Sequence, residues 1–199
     1  THAGNINVAV TANSSLSLSG AVTAGVSTFG GDDVRLNVTN GSVTGSGLVT
    51  ATNLVMNVGG NASVRTSITN LNASLSGEAP TLSLLETNGL NIASNNNVQV
   101  GNGVVNLVLS AGSLNVFGNL VAESNGTVAI RLDESTASSG RINVSTGNLS
   151  ARRFEWRGPS QPTGTFGTNL KFSELGATLP SHGVISMTGI NESVTLEDV

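Results

Sequence analysis

Apolar residues recur at every second position along this chain, in short runs broken by Gly, Ser and Asn. In VVNLVLSAGSLNVFGNLVA (Val104 to Ala122), for example, Val105, Leu107 and Leu109 form one alternating row. Period two is the pattern of a half-buried strand, whereas the three- and four-residue spacing of a helix is scarce. The pattern predicts an all-β chain, and only FSELGATL (Phe172 to Leu179) is a candidate helical turn.

Similar units of up to three short strands, separated by polar turns, follow one another along the chain. The units begin at Val34, Leu54, Thr81, Val104 and Thr127, so their starts lie 20, 27, 23 and 23 residues apart. A period of about 20–50 residues is typical of a solenoid or repeat array. The missing helical pattern excludes helical solenoids and leucine-rich repeats, and a propeller blade needs about 40 residues and four strands.

These units predict a parallel β-helix with about 20–27 residues per coil. Coils stacked about 4.8 Å apart would align Val, Leu and Ile inside and Thr, Ser and Asn outside. Gly and Asn would occupy the corners because they tolerate positive φ. The competing fold is an antiparallel β-sandwich, which also has short strands and polar turns but requires no recurring three-part unit.

The chain changes character near residue 150. We expect coils over residues 1–150, and atypical terminal coils, a loop or a cap over residues 151–199. ARRFEWRGPSQPTGTFG (Ala151 to Gly167) concentrates charge, proline and aromatic rings. An open solenoid end exposes strand edges and core, so a cap is the first interpretation of this region.

The second interpretation of the same region is a sugar- or protein-binding patch. Trp156 would stack on a sugar face, while the arginines would hydrogen-bond to acidic groups. The candidate ligand-binding residues are therefore Arg152, Arg153, Trp156 and Arg157.

Composition excludes several functional classes. Charged residues make up 10% of the chain and the net charge is -4, against about 25% charged residues in an average protein. One Lys and seven Arg form no basic stripe, so nucleic-acid binding is not expected. No apolar run is long enough for a membrane helix, and the absence of Cys excludes disulfides and zinc–thiolate sites. The first residues show no signal-peptide pattern, so we expect a processed chain or an excised fragment.

The sequence offers few groups for catalysis or metal binding. The paired acids Asp32–Asp33 and Asp133–Glu134 lie about 100 residues apart, and adjacent strand residues point to opposite faces. Neither arrangement forms a dyad around one glycosidic bond, so we expect solvated turns. His2 and His182 have no second ligand at metal spacing. We expect no catalytic residue, no metal and no cofactor.

The repeats SLSLSGAVTAG, GSLNVFGNLVAESNGTVAI and SVRTSITNLNASLSGEAPTLSLLETNGLNI resemble bacterial exoproteins of the filamentous-haemagglutinin type. These adhesins are exported through an outer-membrane partner, in two-partner secretion. The resemblance covers about residues 5–150 and consists of short Leu/Val strands, Gly–Asn turns and the absence of Cys. It implies a secreted, right-handed β-helix that acts as a stalk or adhesive surface. The Asn-Pro-Asn motifs of that family's secretion domain do not occur, which indicates an interior or distal segment, or a chain outside the family.

These observations favour a non-enzymatic structural and adhesive segment of a bacterial surface or matrix protein, binding glycans or a host or neighbouring-cell protein. One alternative is a fibre subunit that stacks end to end, favoured by the Asn-rich stretch NIASNNNVQVGNG (Asn91 to Gly103). Another is a polysaccharide-acting enzyme with a groove on one sheet face. That enzyme would need charged clusters on consecutive coils, which the sequence does not show.

Overall fold

The computed structural model describes residues 4–11, 13–25, 32–123, 125–132, 140–158 and 169–178. Within these ranges the chain is all-β, as predicted, with nineteen strands and no helix. The candidate helical turn at 172–179 is wrong, because Glu174–Thr178 is a strand. It pairs in register with Arg153–Arg157 and buries Leu175.

The strands are short, apart from two long ones near the middle of the chain. In chain order they are β1 (Ile6–Val10), β2 (Leu16–Ser17), β3 (Val22–Thr23), β4 (Asp33–Val38), β5 (Val43–Thr44), β6 (Leu48–Val58), β7 (Ala62–Leu75), β8 (Thr81–Glu86), β9 (Leu90–Ile92), β10 (Asn97–Val100), β11 (Val104–Leu109), β12 (Leu114–Val116), β13 (Asn119–Ala122), β14 (Thr127–Leu132), β15 (Ile142–Val144), β16 (Asn148–Ser150), β17 (Arg153–Arg157), β18 (Leu170–Lys171) and β19 (Glu174–Thr178).

Every pairing between described strands is parallel, and the strands form three ladders. The first ladder runs β1, β4, the end of β6, the end of β7, β10, β13, β16, β18. The second runs β2, β5, the start of β7, β8, β11, β14, β17, β19. The third runs β3, the start of β6, the middle of β7, β9, β12, β15. Successive strands of one ladder therefore belong to successive repeats of the chain.

The repeat length varies more than the predicted 20–27 residues. Side chains paired within a ladder are separated by 17 residues at Asn53 and Asn70 and by 29 at Asn119 and Asn148. The predicted 27-residue unit from Leu54 to Thr81 is also wrong. Leu54 lies in the first ladder and Thr81 in the second, so the two positions do not mark equivalent points of successive repeats. The error arises at β7, because this strand runs for 14 residues through all three ladders without a Gly or Pro to mark a turn.

The inward side chains of all three ladders form one apolar core. The predicted inward row of Val105, Leu107 and Leu109 is at most 1% exposed. Among the described strands, the inward side chains are less buried at the N-terminal end: those of β1 are half-buried, whereas their partners in β4 are at most 1% exposed. Burial is thus nearly complete wherever a ladder has described strands on both sides.

Glycines at the corners allow one repeat to lie directly on the backbone of the repeat before it. A Cβ on Gly147 would lie 1.8 Å from the carbonyl oxygen of Gly118, and one on Gly103 would lie 1.8 Å from that of Pro80. No side chain fits at such positions unless the backbone moves. Close stacking of the ladders therefore depends on the missing Cβ.

Gly147→Ala is expected to lower the free energy of unfolding by at least about 2 kcal/mol, because the new methyl group overpacks against backbone. Chemical denaturation monitored by circular dichroism measures this difference. Gly20→Ala is the matched control, since a Cβ there meets nothing within 4 Å, and it should change stability by less than about 0.5 kcal/mol. Equal effects of the two substitutions would contradict the backbone-stacking explanation.

Candidate binding face

The outer face of the second ladder carries a column of five in-register residues, which we name the arginine column. Its members lie on β7, β8, β11, β14 and β17, in the order Arg65, Leu85, Val108, Arg131, Arg157. Neighbouring strands in a sheet lie about 4.8 Å apart, so each member is one such step from the next. The column therefore follows the stacking direction of the ladders.

The arginine column faces solvent. Arg65, Arg131 and Arg157 are exposed, and Leu85, at 38%, is one of two large apolar side chains that are exposed among the described residues. A shallow depression of about 220 Å³ lies beside the column and is lined by Val108, Leu109, Ser110 and Arg131. The face thus combines cationic groups with an accessible aliphatic strip.

Three of the four predicted site residues lie at one end of this face, where carboxylates accompany them. Arg152 pairs with Glu174, and Arg153 pairs with Glu155. Arg153 Nη1 also lies 3.8 Å from Glu174 Oε2. Two positive charges at this end are therefore balanced locally, and Arg157 is exposed beside them.

The fourth predicted site residue, Trp156, is in the core. It is 4% exposed, and its ring stacks on Phe154 with centroids 5.9 Å apart and planes at 22°. The prediction that its ring stacks on a sugar therefore does not fit, because a ring in this position presents no face to solvent. The alternation of apolar residues could have indicated this burial, because Trp156 occupies an inward position, as does its register partner Ile130.

The acidic pair Asp32–Asp33 is buried rather than in a solvated turn, at 0% and 9% exposure. The Asp33 carboxylate accepts hydrogen bonds from Arg35 Nη2 at 2.6 Å and from Asn53 Nδ2 at 2.8 Å. Hydrogen bonds from its own strand and from the next strand of the ladder compensate the desolvation of this carboxylate. Asp133–Glu134, His2 and His182 lie outside the described residues.

Asparagines stack across successive repeats in hydrogen-bonded columns. The amide of Asn115 donates to Asn91 Oδ1 at 2.9 Å and accepts from Asn143 Nδ2 at 2.8 Å. A parallel column joins Asn97, Asn119 and Asn148 with bonds of 2.8 and 3.0 Å. Each amide can donate and accept at once, so identical neighbours satisfy one another.

Glu86 is a buried acid that the sequence reasoning missed. Its carboxylate accepts hydrogen bonds from Thr66 Oγ1 at 2.7 Å and from the backbone N–H groups of Ile68, Thr87 and Asn88 at 2.9–3.3 Å. Burial raises the pKa of Glu86 above 4.5, and these hydrogen bonds offset part of the effect. The carboxylate therefore satisfies donors at a corner, and the period-two alternation was the available signal, because Glu86 continues the inward row of Leu82 and Leu84.

No family model matches this chain, and no curated protein or solved structure is significantly similar to it. Among the described residues, no three His, Asp or Glu side chains group together as a metal site. The described part of the chain also contains no helix able to cross a membrane.

Glu86→Gln is expected to change how stability depends on pH. Because the folded-state pKa of Glu86 is raised, its contribution to stability is fully present below about pH 4.5 and is lost as pH rises through the folded-state pKa. The free energy of unfolding of the wild type, minus that of Glu86→Gln, should therefore fall between about pH 4 and pH 7.

Urea denaturation across this pH range measures that difference. Glu78→Gln removes the same charge from an exposed turn and should shift stability at pH 7 by less than about 0.5 kcal/mol. A wild-type-minus-Glu86→Gln difference that stays flat, or rises with pH, would contradict the assignment of burial as the dominant effect.

Proposed function

We propose that the chain is a parallel β-helix and serves as a non-enzymatic structural and adhesive segment of a secreted or surface-attached bacterial protein. The observation that carries this proposal is the second ladder, in which eight strands from β2 to β19 follow one another in parallel register. A chain that returns to the same ladder once per repeat winds as a coil. In a β-sandwich, by contrast, hairpins would pair consecutive strands antiparallel.

A coil of this kind suits mechanical presentation of a surface. Backbone hydrogen bonds and asparagine columns run along the stacking direction, so bending or stretching the rod would break many bonds together. Outward positions carry Thr, Ser, Asn and a few arginines, which hydrogen-bond to sugars and to protein surfaces. The resemblance to filamentous-haemagglutinin-type exoproteins supplies the context: right-handed coils, secretion, and contact with glycans or a protein of a host or neighbouring cell.

Imaging of the purified chain by cryo-electron microscopy tests the architectural part. Seven steps along the second ladder, at about 4.8 Å each, give a described rod about 34 Å long.

Adhesion is then measured with beads coated with native chain and applied to bacterial and epithelial cells, with beads carrying heat-unfolded chain as the control. Particles without a stacking axis would contradict the β-helix, and equal retention of both bead types would contradict the adhesive role.

A second candidate function, end-to-end assembly into a fibre, is favoured by the N-terminal repeat. Within the described residues β1, β2 and β3 pair on one side only, and their inward side chains are half-buried. An unpaired parallel edge around an apolar core can accept a further strand. A second copy stacked on this edge would extend the ladders.

Ala9→Lys tests this alternative. Ala9 is exposed on β1 and shares its outward column with Asn37 and Asn57. A lysine on an edge strand blocks strand addition, so fibres of the wild type should disappear in Ala9→Lys and persist in Asn57→Lys. Light scattering and negative-stain microscopy are the readouts. A wild type that stays monomeric at all concentrations removes this candidate.

A further inference from the structure

We propose that the arginine column is the binding site for a linear polysaccharide whose sugars carry carboxylates, that is, a polyuronate. The inference rests on the proposed adhesive role and names the ligand class of that face. It follows from the order of side chains along the column: one cation, two aliphatic residues, then two cations.

Arg65 and Arg131 are the charged anchors of the column. Both are exposed, and neither forms an ion pair or side-chain hydrogen bond with another described residue. They stand three strand steps apart, about 14 Å, which exceeds the screening length of about 8 Å at physiological salt. Each guanidinium therefore binds its own anionic group, and its planar fork matches a carboxylate with two parallel hydrogen bonds.

The aliphatic strip between the anchors suits a sugar ring. Leu85 and Val108 fill the two steps between Arg65 and Arg131, and the depression at Val108 and Arg131 lies at one end of this strip. A pyranose ring has C–H groups that pack on aliphatic surface, while its substituents reach sideways for hydrogen bonds. A chain of such rings places apolar contacts between carboxylates, in the same order as the column.

Charge spacing distinguishes this ligand from nucleic acid. Duplex DNA carries a charge about every 1.7 Å along its axis, and single strands bind on stacked aromatic platforms. The column has sparse cations and no aromatic ring. A densely sulfated polymer would equally leave most of its charges without a partner. Because the face is shallow, affinity would come from several contacts of one polymer, not from a single enclosed sugar.

The test measures binding of full-length chain to sodium alginate, a polyuronate, by biolayer interferometry at two salt concentrations. The comparison ligand is carboxyl-reduced alginate, which keeps the backbone and loses the charge, and dextran sulfate reports binding by charge alone. We expect alginate to bind, and Arg65→Gln and Arg131→Gln each to weaken binding at least about tenfold, because each substitution removes the charge-assisted hydrogen bonds of one guanidinium. Leu85→Ser should weaken it about threefold through lost apolar contact.

Arg141→Gln is the matched control. Arg141 is also exposed but precedes β15 in the third ladder, so the variant removes the same charge away from the column and should leave alginate binding unchanged. Thermal melts verify that every variant is folded.

Four outcomes would overturn the inference: no binding of alginate, equal binding of the carboxyl-reduced polymer, tighter binding of dextran sulfate, or an equal loss in Arg141→Gln. If the particles form rods and coated beads adhere to cells while alginate fails to bind, the proposed function stands and only this ligand assignment fails.

Discussion

Close parallel stacking of one repeat on the next is the constraint from which the other features of this structure follow. Strands of successive repeats lie about 4.8 Å apart and in register, so a residue in an inner strand of a ladder has a partner of the same orientation directly above and below it. The rule acts on side chains and backbone alike. It requires glycine where a corner lies on the carbonyl of the preceding repeat, as Gly147 does on Gly118. It also requires inward side chains that can pack against similar side chains of the neighbouring repeats.

The same constraint explains the composition. Two like charges about 5 Å apart in a column repel by about 1 kcal/mol even in water, and each further repeat would add another such contact. Neutral amides avoid this cost because they donate to one neighbour and accept from the next, as Asn115 does between Asn91 and Asn143. A low charged fraction and an abundance of Asn are therefore consequences of stacking. Arg131 and Arg157, which are neighbours in one column, are an exception to this rule.

Period-two alternation was enough to predict strands and most of the core, because a strand with one buried face has apolar residues at every second position. The alternation at Val105, Leu107 and Leu109 shows this directly. It failed to locate the repeat boundary inside β7, since that strand crosses three ladders without a Gly or Pro. At the candidate site, the cluster around Arg152 and Arg153 could be seen in the sequence. The column from Arg65 to Arg157 could not, because its members are brought together only by register.

Repeat length and axial advance are independent of each other in this molecule. The repeat that joins Asn53 to Asn70 has 17 residues and the one that joins Asn119 to Asn148 has 29, yet each advances the ladder by a single strand spacing. The described strands pair in register in both repeats. The distance between two surface groups of one ladder is therefore set by how many repeats separate them, whatever the number of residues in between.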